Sequence, residues 1–403
     1  MSLTSLIGRY IQYNKKHLQF WNSIFIVLLS TSFVLTDWMS GIFTFSEYIL
    51  SIALFFLFIS GNFKITKKQI GWIASILIII SLNISANYYS NNEFVLKVGI
   101  AALIKVSFYS IIVASFYNHF KDNKLSNRFL KMNNIIAIII CIIGVYITIA
   151  IYSNGSLPYE FFWKFTRTDR MSYAFNQNLD FIRTRSIFSE PSYLGYYLNI
   201  ILGMNYFNKQ DIKIKLSCNL ILTLTIVLTF SYSAIGVMML TQLMYLLDGR
   251  KIKQFKWNNL MYLYIGIIGL LMFLSWDLIN ETIIERTIAI LNGEDLSATG
   301  RLFDSWKYVN IEHLFRGNGI GHTADIWNIY AYILSDLGIV AFVLFCLFSL
   351  YTIKVNFKMG LLFVALNFQK GGYLSSGFWI YLLLLFIYMK QNSKINSKWS
   401  ILK

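Results

Sequence analysis

Two stretches of the chain hold residue types whose spacing could do chemistry. The first is RTRSIFSEPSYLGYYL (183–198), where Arg183 and Arg185 precede Glu190 and Pro191. The second is SATGRLFDSWKYVNIEHLFRGNGIGH (297–322), which carries Arg301, Trp306, Arg316 and His322. A guanidinium is a planar fork of donors that meets a phosphate in two parallel hydrogen bonds and stays charged at any working pH. Each such charge-assisted bond contributes about 1.5–3 kcal/mol, so two or three converging Arg could grip a diphosphate. A carboxylate such as Glu190 or an imidazole such as His322 could take a hydroxyl proton. Glu190 has a plainer reading as well, because acids and Pro are favoured in the first turn of a helix and an acid can simply anchor an Arg cluster. Placed about one turn inside an apolar membrane helix, it would cost about 2.5–3.5 kcal/mol to insert, and the Arg pair is its expected partner. The GNGIG at 317–321 suits a tight turn with positive φ; no strand precedes it, so a dinucleotide fingerprint is not supported.

The elements that must position these residues are membrane helices. Hydrophobic residues make up 56% of the 403, charged residues 13%, and the mean hydropathy is +0.56. A soluble domain carries about 25% charged residues, so soluble, disordered and fibrous classes are excluded. Apolar runs of the length a helix needs to cross the bilayer recur down the chain, and the alternation of a membrane β-barrel is missing. The expected fold is an all-α polytopic membrane protein, residues 1–403 forming one membrane domain. About twelve spans are expected, at 19–36, 40–62, 70–89, 97–118, 133–153, 187–207, 216–231, 233–248, 258–276, 327–352, 359–369 and 373–389, the eleventh too short to span alone. The first reads as a retained helix. Cys141, Cys218 and Cys346 all fall in apolar runs and suggest neither a disulfide framework nor a metal site. His17, His119, His313 and His322 make no i, i+4 ligand pair, so no metal is expected.

The net charge of +16 reads as a topology signal rather than a nucleic-acid footprint. With both termini in the cytoplasm, the inner segments hold 23 basic residues against three acids, Asp122, Asp211 and Asp248. Two longer segments, 154–186 and 277–326, then lie outside. Of the eleven basic residues left outside, seven are Arg (Arg167, Arg170, Arg183, Arg185, Arg286, Arg301 and Arg316), whereas only three of the 23 inner ones are. The topology rule asks only for positive charge, so the outer side wants guanidinium in particular. Pairing with acids of the same loops is the ordinary alternative for any one of them.

FSEPSYLG (188–195), preceded by basic residues, then GRLFDSW (300–306) and GNGIG (317–321) before a last group of spans, resemble the O-antigen and capsule polymerases (Wzy type) of the O-antigen ligase and polymerase superfamily. The resemblance covers roughly residues 150–345. It implies a GT-C-like membrane fold and a metal-independent, cofactor-free, inverting glycosyltransferase of the bacterial inner membrane. Its active site would be extracytoplasmic, with undecaprenyl-diphosphate-linked glycans as donor and acceptor. Membrane lipid and a chain-length regulator protein are the further partners, with no nucleic acid. By position Arg185, supported by Arg183, and Arg301 match the family's diphosphate-binding arginines, and Glu190 matches the glutamate of its F-x-E-P-S pattern. Two features depart from the family. FSYSAIG (230–236) lacks the Arg that many members carry after S-x-S, and Trp327 precedes Asn328 where ligases have His.

The catalytic candidates are therefore Glu190, Arg185 and Arg301, with His322 the rival base. Arg183, His322, Trp306 and Arg316 are the substrate-binding candidates. Tyr159, Phe161, Phe162, Trp163, Trp306, Trp327 and Tyr330 could stack on sugars, though an interfacial belt is the commoner role. Glu47 and Lys105 suggest a buried pair or cavity lining, and Asp336 is expected to face the bundle interior. A ligase acting on lipid A core and a lipid-linked oligosaccharide flippase are the competing readings; no half-to-half repeat favours the flippase.

Overall fold

The computed structural model describes residues 3–153, 156–175, 178–247, 266, 280–295, 299–324, 326–369 and 372–390. The chain is mostly helical. The principal helices are α1 (Leu3–Val34), α2 (Phe45–Ile59), α3 (Lys67–Ser90), α4 (Leu96–Asp122), α5 (Ser126–Tyr152), α6 (Pro191–Phe207), α7 (Leu216–Leu228), α8 (Tyr232–Leu246), α9 (Ile329–Val355), α10 (Phe357–Gln369) and α11 (Ser376–Tyr388). Four of them, α3, α4, α5 and α9, are long and apolar enough to cross a membrane. Apart from residue 266, the ninth expected span, 258–276, lies outside the described residues, as do Arg250, Lys251, Lys253, Lys256 and Lys370.

Local sequence sets the helix starts. Thr44 and Glu47 form a capping box at the start of α2, and Thr66 and Gln69 do the same for α3. Pro191 occupies the first turn of α6, where its missing N–H costs nothing. Among the described residues, strand is confined to two short antiparallel pairings, Met39–Ser40 with Phe43–Thr44 and Ala174–Phe175 with Asn178–Ile182, a small departure from the all-α expectation.

α6 is buried on nearly every side, between α5, α7, α8, α10 and α11, and forms the centre of the bundle. An all-round apolar helix suits that position. Gly195 makes its contact with α8 possible: a Cβ there would stand 2.4 Å from the Ala234 Cβ. α3 buries only Ile80, Asn83, Ile84 and Asn87 along its length and turns an apolar surface outward, as a lipid-facing helix does. Polar side chains within the bundle bond one another. Asn205 donates to Asn134 and to Asn219 at 2.7 and 2.8 Å, and the expected pair between Lys105 and Glu47 is present at 3.2 Å, with Tyr109 donating to the same carboxylate oxygen.

α9 is broken at Gly338, whose φ is 79°. The segment before α9 fills the break. Ile339 N–H donates to the Leu314 carbonyl, while the Asn318 and Gly319 amides donate to the Ser335 and Asp336 carbonyls. The Asp336 carboxylate faces inward, as expected, and accepts from the Gly321 and Thr323 amides and the Tyr373 hydroxyl. Gly317, Gly319 and Gly321 all have positive φ, so GNGIG is the tight turn its composition suggests.

At one end of the bundle α1, α5 and α7 finish while α2, α6, α8 and α9 begin. The connections at the other end, after α2, α4 and α6, carry Lys64, Lys124, Lys209, Lys213 and Lys215. The two ends therefore differ in charge type, and the arginine-bearing segments gather at the first.

Replacing Gly195 with Val forces a branched side chain into the α6–α8 contact. The expected outcome is a loss of about 1–3 kcal/mol, the usual cost of overpacking, read as a lowered thermal midpoint of the detergent-solubilised protein.

Candidate functional site at the arginine-lined end of the bundle

A hollow of about 220 Å³ opens at that end, lined by Arg167, Met171, Ser172, Arg183, Glu190, Pro191, Ser192, Ser231, Tyr232, Ser233 and Arg301. It brings together three of the sequence candidates, Arg183, Glu190 and Arg301. Three guanidiniums and one carboxylate share its wall. Both α6 and α8 begin there, so the positive ends of two helix dipoles converge on it.

Arg183 and Arg301 are placed by distant partners. Arg183 Nε donates to the Thr229 carbonyl at 3.1 Å, and the Thr184 amide donates to the Leu228 carbonyl. These two bonds tie the segment before α6 to the end of α7. Arg301 rides on a wide π-type turn, Gly300–Asp304. Its carbonyl accepts from the Asn328 side chain, which also caps α9, and its guanidinium lies 5.7 Å from the Trp327 ring centre. Asn328, noted in the sequence only as the residue that follows Trp327 where ligases have His, thus anchors the Arg301 turn.

Glu190 is the N-cap of α6 and does not lie a turn inside it. This corrects the expected placement: the carboxylate stands at the helix mouth. The side chain makes no capping bond. Instead Oε1 accepts from Arg167 Nη1 at 3.0 Å, and Oε2 accepts from the Ser192 hydroxyl at 3.1 Å. Arg167 is an ion-pair partner that the sequence did not suggest for Glu190, beside Arg183 on the same wall and Arg185, whose charge also acts on it. Arg167 also pairs with Asp169 through Nε and Nη2, at 2.8 and 3.1 Å. These bonds raise the pKa of Arg167 and hold the Asp169 carboxyl below its ordinary value.

Arg185 does not line the hollow. It is 1% exposed, one layer behind the wall. Its guanidinium stacks 3.6 Å from the Trp163 ring centre and donates to the carbonyls of Phe188, Ser189 and Arg167. The reason is local: Ser186 takes a left-handed conformation, φ 53°, and its buried hydroxyl donates to the Ile140 carbonyl, while Trp163 Nε1 donates to the Ser186 carbonyl. The chain reverses there and turns Arg185 inward. Burial lowers its pKa to about 10, which leaves it charged at neutral pH. Arg185 is thus a staple between the Arg167 loop and the Glu190 loop. The second loop is held further by Asp37, which accepts from the Ser189 hydroxyl, and by Trp38, which donates to the Ile187 carbonyl.

The remaining candidates lie elsewhere. The His322 ring stacks on Phe94 at 4.3 Å between ring centres. Its Nε2 accepts from the Val95 amide and its Nδ1 donates to the Ile320 carbonyl, so both ring nitrogens are engaged as those of a neutral imidazole. His322 pins the glycine turn to the start of α4 and is not brought to the hollow. The Arg316 carbonyl accepts from the side chains of Asn83 and Asn87, on the α3 side of that turn. Trp306 packs edge-on against Phe342. Of the aromatic candidates, Trp163 is the buried platform for Arg185, and Tyr330 is buried against Phe368.

Sequence reading passed over Arg167 and the Ser231–Ser233 segment. Arg167 stood among the outer arginines with nothing local to single it out. FSYSAIG was marked for the cation it lacks, not for the hydroxyls and helix start it supplies.

The different jobs of the arginines separate under one substitution. Arg185→Lys keeps the charge but loses the stacked plane and the fork to three carbonyls. It should lower the thermal midpoint, by the equivalent of about 1–3 kcal/mol. Arg301→Lys, at the wall, should leave the midpoint nearly unchanged. Scanning fluorimetry of the two purified variants checks the contrast.

In comparisons with known proteins, no family model, no curated protein and no solved structure matches this chain.

Proposed function

We propose that the chain is a polysaccharide polymerase of the bacterial inner membrane, which transfers an undecaprenyl-diphosphate-linked glycan onto a lipid-linked repeat unit. The observation that carries this reading is the meeting of Arg167, Arg183 and Arg301 with Glu190 in one hollow at the end of a helix bundle. The FSEPSYLG and GRLFDSW stretches, which resemble the Wzy-type polymerases, supply Glu190 and Arg301 to that hollow. Its size suits a diphosphate headgroup and not a whole glycan, so the sugars extend past its rim and the isoprenoid lies along the apolar helices.

In this reading both termini are cytoplasmic, the bundle crosses the bilayer about twelve times, and the hollow is extracytoplasmic. The basic connections after α2, α4 and α6 support the orientation through the positive-inside bias. Arg301 and Arg183 stabilise the charge that develops on the leaving diphosphate, a task that preorganised donors perform without reorganising. The acceptor hydroxyl attacks the anomeric carbon from the opposite side, which gives inversion. Glu190 takes the hydroxyl proton as the C–O bond to the diphosphate breaks. The positions of Arg185 and His322 assign them to support: Arg185 holds the two loops together, and His322 holds the glycine turn.

Purified protein supplied with undecaprenyl-diphosphate-linked repeat units should give a ladder of lengthened chains on a glycan gel. Glu190→Gln should slow lengthening by roughly a hundredfold or more, the usual contribution of a general base. Arg301→Lys, which keeps charge but not the fork, should slow it by at least about tenfold. Normal ladders from Glu190→Gln remove the carboxylate from the base role. A single transfer to a lipid A core acceptor identifies a ligase, and repeat units stranded on the cytoplasmic face of a deletion strain identify a flippase.

A further inference from the structure

Arg167 carries more contacts than a wall residue needs. Its Nε and Nη2 pair with both Asp169 oxygens, and its Nη1 alone reaches Glu190, at 3.0 Å. The two edges of the guanidinium are thus divided between two carboxylates. One is outside the hollow lining and the other within it. The Arg167 backbone is fixed, because Arg185 donates to its carbonyl at 2.6 Å. Any exchange of partners is therefore confined to the side chain.

The Arg167–Glu190 pair is half-exposed, with side-chain exposures of 49% and 33%. Ion pairs of that kind are weakly held. A diphosphate brings more negative charge and more acceptor oxygens than one carboxylate, and Arg183 and Arg301 already favour its entry from the same wall. It would compete with Glu190 for Nη1 while Asp169 keeps the other edge of the fork in place. Glu190 would retain the Ser192 hydroxyl on Oε2, which holds its carboxylate at the mouth of α6.

We propose that Arg167 is a shared counter-ion, which pairs with Glu190 until an anionic diphosphate headgroup enters the hollow and draws Nη1 onto its own oxygens. Headgroup binding and release of Glu190 from Arg167 are then one event. A carboxylate that loses a guanidinium partner becomes a better proton acceptor, so the exchange favours the base beside a bound donor. This gives the site a positioning residue that also tunes the chemistry, and it rests on the diphosphate reading of the hollow.

The test is a set of binding titrations in detergent micelles, with undecaprenyl diphosphate and with inorganic diphosphate as probes. The proteins are the wild type, Arg301→Ala, Glu190→Gln, Arg167→Gln and the Arg167→Gln/Glu190→Gln double variant. Removing the competing carboxylate should tighten undecaprenyl diphosphate binding by about fivefold in Glu190→Gln, a coupling of ordinary size for contacting charges. Arg167→Gln should weaken binding, and most of the Glu190→Gln gain should vanish in the double variant. Binding that depends on Arg301, but with an equal Glu190→Gln gain whether or not Arg167 is present, overturns the exchange and leaves the diphosphate reading standing. No binding by the wild type overturns that reading and the exchange with it. Equal affinity for the two probes overturns the lipid as the source of the headgroup, and tighter binding of undecaprenyl diphosphate supports it.

Discussion

Where a membrane helix stops, backbone carbonyls and amides are left that lipid cannot satisfy. The end of this bundle that carries the hollow is organised around that constraint. Arg185 gives its donors to the carbonyls of Phe188, Ser189 and Arg167. Asn328 serves the start of α9 and the Arg301 carbonyl together. The break in α9 at Gly338 is filled by the 314–319 segment, and Asp336 takes two amides of the glycine turn. For Arg185 and Asn328, the side chain that solves a backbone problem also fixes the position of a residue at the site.

The arginines consequently divide by depth. The buried one, Arg185, stabilises two loops through carbonyls and an aromatic face, with no carboxylate in direct hydrogen bond. Those at the wall, Arg167, Arg183 and Arg301, present charge to the hollow. A guanidinium can do either job because it is both a flat, weakly hydrated surface and a fork of donors. What separates the two is whether the neighbouring backbone offers carbonyls or the neighbouring space admits an anion. The same distinction explains His322, whose two nitrogens are engaged by Val95 and Ile320.

Much of this architecture was legible in residue types. Hydropathy and low charge announced a helical membrane protein, and helices occupy the expected stretches from residue 19 to residue 248 as well as the last three. GNGIG read correctly as a turn because three positive-φ positions in five residues admit little else. Glu190 was placed a turn too deep, since hydropathy cannot see that the helix begins at Pro191 and not before it. Arg167 was missed as a Glu190 partner for a related reason: Arg183 and Arg185 are its neighbours in sequence, whereas Arg167 reaches it across a loop closed by Arg185 and Trp163.

Composition and spacing by themselves determined the class of fold, the gathering of guanidinium in two segments, and the presence of a carboxylate beside a helix start. These follow from short-range physics, namely transfer free energy, helix capping and turn conformation. Only the tertiary structure decided which arginine faces the hollow and which is buried behind it. That choice depends on carbonyls and rings supplied by segments 20 to 150 residues away, such as Trp163 for Arg185, Thr229 for Arg183 and Trp38 for the Glu190 loop. The direction of a side chain is set by its partners in space, and linear order does not state who they are.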